Sequence, residues 1–144
     1  ESGKVRDVVI RDVRFTDVST AIRGRDYLCN ILVEDCEFAG CVNLGAIEFA
    51  TTLDGAVMRW VTVRDNWLHD GEGMPVRFWN AANAGASAAV MEHVAVVANV
   101  IHGYKNNGLE PVYMQVMLGK AAPELMSYAD SELQKRRDEH LKKK

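Results

Sequence analysis

Four stretches of the chain align without a gap, and this repeat constrains the fold more than any other feature. Take Ile10, Val33, Val63 and Val96 as anchors. Two positions earlier stand Val8, Ile31, Val61 and Val94, and five earlier stand Val5, Leu28, Met58 and Met91. Two positions later come Asp12, Asp35, Asp65 and Ala98, and three later Val13, Cys36, Asn66 and Asn99. Five later come Phe15, Phe38, Leu68 and Ile101. Another apolar residue follows each copy, at Ile22, Ile47, Val76 and Leu109, just after Ala21, Ala46, Pro75 and Gly108. The anchors are 23, 30 and 33 residues apart, so length varies only between the copies.

Alternation of apolar and polar residues with period two means strand. Each copy holds three such short runs separated by turns, which describes one coil of a parallel β-helix. An antiparallel sandwich with evenly spaced strands is the alternative, and the gapless register argues against it. The pair Asp65-Asn66 marks a tight bend, where Asn is suited because it tolerates positive φ. Asn66 and Asn99 are expected to stack and hydrogen-bond from coil to coil. Gly24 is expected to break the strand around Ile22.

The four copies resemble the repeats of right-handed parallel β-helix proteins, the pectate-lyase-like superfamily. The resemblance covers about residues 5–116. It implies an all-β fold, a right-handed parallel β-helix of about four rungs over residues 1–118. That architecture hosts lyases, glycoside hydrolases, epimerases, esterases, phage tailspikes and adhesins, so it implies no single function. The Asn-Thr-Asp and paired Asp-Asp signatures of the polygalacturonase branch do not occur in the sequence.

Residues 119–144 read differently. Gly119 ends the strand pattern, Pro123 suits the first turn of a helix, and the composition from Glu124 to Leu141 is helical. Leu125, Tyr128, Ala129 and Leu133 give a narrow apolar stripe. A C-terminal α-helix is therefore expected, closing the end of the coil or packing on another subunit. Lys142, Lys143 and Lys144 suit its C-terminus electrostatically. At the other end, Val5 to Arg11 enters mid-coil, so its strand edge is expected to meet upstream chain or a second copy.

Residues 1–129 carry 11 Lys and Arg against 16 Asp and Glu. An acidic body argues against nucleic acid as a partner. No run of 18 apolar residues occurs, so no membrane span is expected. Cys29 is expected to point inward beside Ile31, Cys36 lies at the bend, and Cys36–Cys41 is a conceivable short-loop disulfide. No Cys-x-x-Cys pair suggests zinc. The sequence names no cofactor. A secreted or cell-surface location is the expectation for such a protein.

In stacked coils, equivalent outward residues form columns at about 4.8 Å spacing. One column reads Arg11, Glu34, Arg64, Val97, and a second reads Arg23, Glu48, Arg77, Glu110. Alternating sign stabilises adjacent strands, by roughly 0.2–1 kcal/mol per pair, and the bland reading of both columns is a register-fixing ladder. The second has unusual company. Trp79 lies two residues beyond Arg77, and the outward column Thr16, Ala39, His69, His102 ends nearby, with Asp70 and Lys105 following. If these residues share one face, an acidic polysaccharide is the expected partner. Glu48 and Glu110, two coils apart, would be the acid and base of an inverting hydrolase. Alternatively His69, His102 or Lys105 would be a lyase base with Arg77 stabilising the enolate. Trp79, Asp70, Lys105 and Arg23 would bind substrate. The histidine pair with Asp70 could also hold a metal, although two histidines in register more often form a surface ladder. The competing function is a non-catalytic scaffold of the surface or tail-fibre type.

Overall fold

The computed structural model describes residues 4–43, 46–80 and 88–105, and the strand at 114–117. The first pass of the chain runs through β1 (Val5–Arg11), β2 (Arg14–Thr16) and β3 (Ile22–Arg25). The second runs through β4 (Leu28–Glu34), β5 (Glu37–Ala39), β6 (Val42–Asn43) and β7 (Ile47–Thr51). The third runs through β8 (Val57–Arg64), β9 (Trp67–His69), β10 (Glu72–Gly73) and β11 (Val76–Asn80). The last runs through β12 (Val90–Val97), β13 (Val100–His102) and β14 (Met114–Met117). Each pass visits the same sheets in the same order. The sheets are β1-β4-β8-β12, β2-β5-β9-β13 and β3-β7-β11-β14, with a short β6-β10 pair between the last two. Every pairing between these strands is parallel.

The pairing follows the sequence alignment. Ile10 lies opposite Val33, Val33 opposite Val63, and Val63 opposite Val96. The aligned apolar positions make the interior. Val33, Phe38, Ile47, Val61, Val63, Leu68, Val76 and Phe78 are fully buried. Each such side chain stabilises the fold by roughly 1.5–3 kcal/mol relative to leaving it exposed. Aromatic rings stack across the coils: Phe15 on Phe38 with centroids 5.0 Å apart, and Phe49 on Phe78 at 5.3 Å.

The bends differ in one respect from expectation. The left-handed residue is the Asp, not the Asn: Asp12, Asp35, Asp65 and Ala98 all have φ between 50° and 57°. Asn66 sits just inside, 1 % exposed, and does the hydrogen bonding. Its side-chain carbonyl accepts from Cys36 N–H at 3.0 Å, and its amide donates to Val33 O at 3.1 Å and to Asn99 Oδ1 at 2.9 Å. The expected coil-to-coil ladder of asparagines is therefore present. It satisfies backbone groups that the bend removes from the strand pairing.

A second irregularity escaped the sequence reading. Leu28 and Ile31 are both buried although three residues apart, which period two does not allow. Asn30 between them takes φ 58°, and its counterparts Asp7, Trp60 and His93 take 57°, 59° and 54°. Repeating this kink in all four strands keeps them paired. It also reverses the expectation for Cys29, which pairs with Arg6 and Arg59 in an outward column and is only half-buried. Cys36 and Cys41 are both buried and unbridged, so the Cys36–Cys41 disulfide does not form. Gly24 does not break β3. It lies within the strand, where a Cβ would come to 2.5 Å from both Leu28 and Phe49, so the packing leaves room only for glycine. No helix occurs among the described residues, none of which offers a helix long and apolar enough to cross a membrane. The expected C-terminal helix lies outside the described residues.

Candidate functional site

Both charge columns are present as hydrogen-bonded ladders. Glu34, 3 % exposed, lies between Arg11 and Arg64. Arg11 Nε donates to its Oε1 at 2.6 Å, and Arg64 Nε to its Oε2 at 2.7 Å. The Arg11 hydrogen bond holds the Glu34 carboxyl below the usual carboxylate range and raises Arg11 in turn.

Glu48 is held more tightly still. Its carboxylate is 1 % exposed and meets three guanidinium groups: Arg23 at 3.1 Å, Arg25 at 2.8 Å and Arg77 at 3.1 Å. Arg25 was not anticipated, because it stands two residues beyond Arg23 on the same outward side of β3. A carboxylate with all this company is shut off from solvent and has no open side toward a substrate. The catalytic role expected of Glu48 is therefore not supported by its surroundings. Arg77 joins the same cage through its Nη1.

The fourth member of that column is also different. Arg77 pairs with Gln115, and Val76 with Met114, so the strand equivalent to β11 begins at Met114 rather than at Leu109. The apolar-polar pattern at 109–110 imitates the start of a strand five residues too early. Glu110 itself lies outside the described residues, and the column position assigned to it belongs to Gln115. The expected Glu48–Glu110 pair therefore falls partly outside the described residues.

His69 and His102 do stack, with centroids 5.5 Å apart. However, they lie on the β2-β5-β9-β13 sheet, whereas Glu48, Arg77 and Trp79 lie on β3-β7-β11-β14. Strand β10 intervenes, so the single face expected from the sequence is two. Trp79 is half-buried on β11, opposite Ala50. Arg23 is bound up with Glu48 and belongs to that sheet too.

The histidine sheet carries the more open chemistry. His69 Nδ1 lies 2.8 Å from Asp70 Oδ2, and Nε2 lies 3.1 Å from Glu37 Oε1. Both partners are carboxylates, which only accept, so the imidazolium form of His69 satisfies both contacts at once. The Asp70 hydrogen bond, helped by Glu37, raises His69 above the usual imidazole range, and the same bond lowers Asp70. Trp67 stacks on His69 at 4.0 Å, and its Nε1–H donates to His102 Nε2 at 2.8 Å. That nitrogen is therefore unprotonated. His102 is exposed, and so is Lys105, whose charge favours the Asp70 carboxylate.

Trp67 and Glu37 were missed in the sequence. Both occupy the position four after the anchor, in the column Arg14, Glu37, Trp67, Val100. The alignment that revealed His69 and His102 would have revealed these, had it been read at every outward position. Among the described residues, no group of three or more His, Cys, Asp or Glu side chains is arranged to hold a metal ion. No protein-family model, curated protein or solved structure matches the chain.

Proposed function

We propose that this chain is a polysaccharide-active domain, built as a right-handed parallel β-helix of the pectate-lyase-like kind, and that the saccharide lies across the outer face of β9 and β13. One observation carries the reading. Trp67 is 45 % exposed, yet its ring is fixed by stacking on His69 and by its bond to His102. A rigid exposed aromatic loses little freedom when a sugar ring stacks on it. Polar groups that fix a ligand's orientation surround it: His102 with its Nδ1–H, the Asp70 carboxylate and the Lys105 ammonium. Of the expected catalytic residues, His102 then offers its Nδ1–H as a hydrogen-bond donor to the bound sugar, with Lys105 balancing charge on an acidic glycan. An extracellular or cell-surface setting fits such a substrate.

The competing reading is a non-catalytic scaffold. It is favoured by the cage around Glu48, which a ladder needs and an active site does not. A panel of uronate-containing and neutral polysaccharides separates the two. Binding should be measured by calorimetry, and turnover by ultraviolet absorbance of unsaturated product and by new reducing ends. Trp67→Ala should abolish binding on this face and any turnover. A protein that neither binds nor cleaves any member of the panel is a scaffold.

A further inference from the structure

The outer face of the β1-β4-β8-β12 sheet carries a second set of ligand-competent groups, unrelated to Trp67. An open groove of about 440 Å³ runs over the first residues of its strands, lined by Arg6, Tyr27, Cys29, Val57 and Arg59 among others. That volume is within the range of small-ligand sites. Arg6 and Arg59, in one outward column with Cys29 between them, both line it. Arg59 is paired with Glu92. Arg6 is exposed, and its guanidinium has no partner among the described residues. An unpaired guanidinium in a groove is a ready anion receptor, because its fork of donors matches a carboxylate or sulfate.

The neighbouring column supplies an aromatic surface. Trp60 is 55 % exposed and stacks flat on His93, with centroids 3.9 Å apart and planes 3° from parallel. Both residues hold left-handed backbone, with φ 59° and 54°. For a bulky aromatic this conformation is a genuine outlier, costing of order 1–3 kcal/mol. The equivalent positions in the first two strands hold Asp7 and Asn30, which tolerate it and bond to each other at 2.8 Å. Thus the chain places its least suitable residue there, and the result is a flat exposed ring. Arg6 and Trp60 stand on β1 and β8, two interstrand spacings apart, or roughly 9.6 Å.

We infer that this face is a second binding site for an acidic saccharide, with a carboxylate or sulfate on Arg6 and a sugar ring against the Trp60–His93 stack. The site does not depend on the Trp67 face, and it needs no catalytic group.

The test uses the full chain carrying Trp67→Ala, so that only this face is read. Oligogalacturonate and its methyl ester are titrated by calorimetry. The free acid should bind, and the neutral ester should bind at least tenfold more weakly. Adding Arg6→Gln should cost at least tenfold in affinity for the acid. Adding Trp60→Asn should cost as much; Asn suits the left-handed backbone, so the change removes the ring without new strain. Unchanged thermal unfolding would certify both variants as folded. The inference is overturned if the Trp67→Ala protein binds no oligogalacturonate, if acid and ester bind equally, or if Arg6→Gln and Trp60→Asn bind as their parent does. Loss of the Trp67 reading gives a different pattern: Trp67→Ala would then leave the wild-type isotherm intact while Arg6→Gln still weakened it.

Discussion

Replacing Glu48 by Gln separates a structural ladder from a catalytic carboxylate. The substitution keeps the volume, leaves one acceptor oxygen and removes the charge. Three guanidinium groups then lose their counterion. Arg23 and Arg25 have side chains 46 % and 42 % exposed and can turn toward water, so their losses are small, about 0–1 kcal/mol each. Arg77 is 20 % exposed and cannot escape as easily. A hydrogen bond to a charged group is worth about 1.5–3 kcal/mol. The sum is a destabilisation of about 1.5–5 kcal/mol, reaching at its upper end the roughly 3–5 kcal/mol of a fully buried broken pair. Urea unfolding measures it: the midpoint should fall while the slope with denaturant stays constant. A catalytic carboxylate would behave otherwise, since its removal abolishes turnover and leaves the folded state intact. A Glu48→Gln protein within about 0.5 kcal/mol of wild type would refute the ladder argument and restore Glu48 as a candidate in chemistry.

Asn66→Ala should cost about 2–4 kcal/mol, because Cys36 N–H and Val33 C=O are left without the side-chain partners they have in the bend; urea unfolding of the variant reads this directly. The His69 cluster should make stability depend on pH. Its folded pKa is raised, so its contribution is complete below the unfolded value near 6.5 and is lost as pH rises through the folded value. Asp70, lowered by the same contact, contributes above its unfolded value and loses that as pH falls through its folded one. The urea midpoint should therefore decline on the alkaline side in wild type and not in His69→Gln. Ala98 holds φ 57° where its three counterparts are Asp, so Ala98→Gly should stabilise by about 0.5–1 kcal/mol, seen as a higher thermal midpoint.

The inward side of this molecule was legible because burial acts on every copy alike. Val33, Val63 and their neighbours had to be apolar, and the gapless alignment followed. What was lost lay where a local backbone choice resets the phase. The left-handed residue at Asn30 and Trp60 turned Cys29 outward, and nothing in the identity of a Trp advertises positive φ. The Met114 register was missed for a related reason: Leu109-Glu110 copies the apolar-charged start of β7 and β11, and pattern alone cannot rank two candidate strands. The functional reading suffered most. Glu48 looked like a site residue on the strength of its charge. Only three dimensions reveal that Arg25 joins Arg23 and Arg77 around it, or that β10 parts the histidines from that column.

The spacing of the paired strands also sets how the chain must fold. Partners on the β1-β4-β8-β12 sheet are 23, 30 or 33 residues apart. Closing a loop of 33 residues rather than 23 costs only a few tenths of a kcal/mol more, so the longer connections at 51–57 and 80–90 are nearly free to vary in length. No pass can bury its apolar face until the next has wrapped beneath it. Order should therefore begin with two neighbouring passes and spread outward one at a time, each docking event as slow as its predecessor. Folding kinetics would then lengthen with the number of passes, while the tendency to unfold would be greatest at the last one laid down.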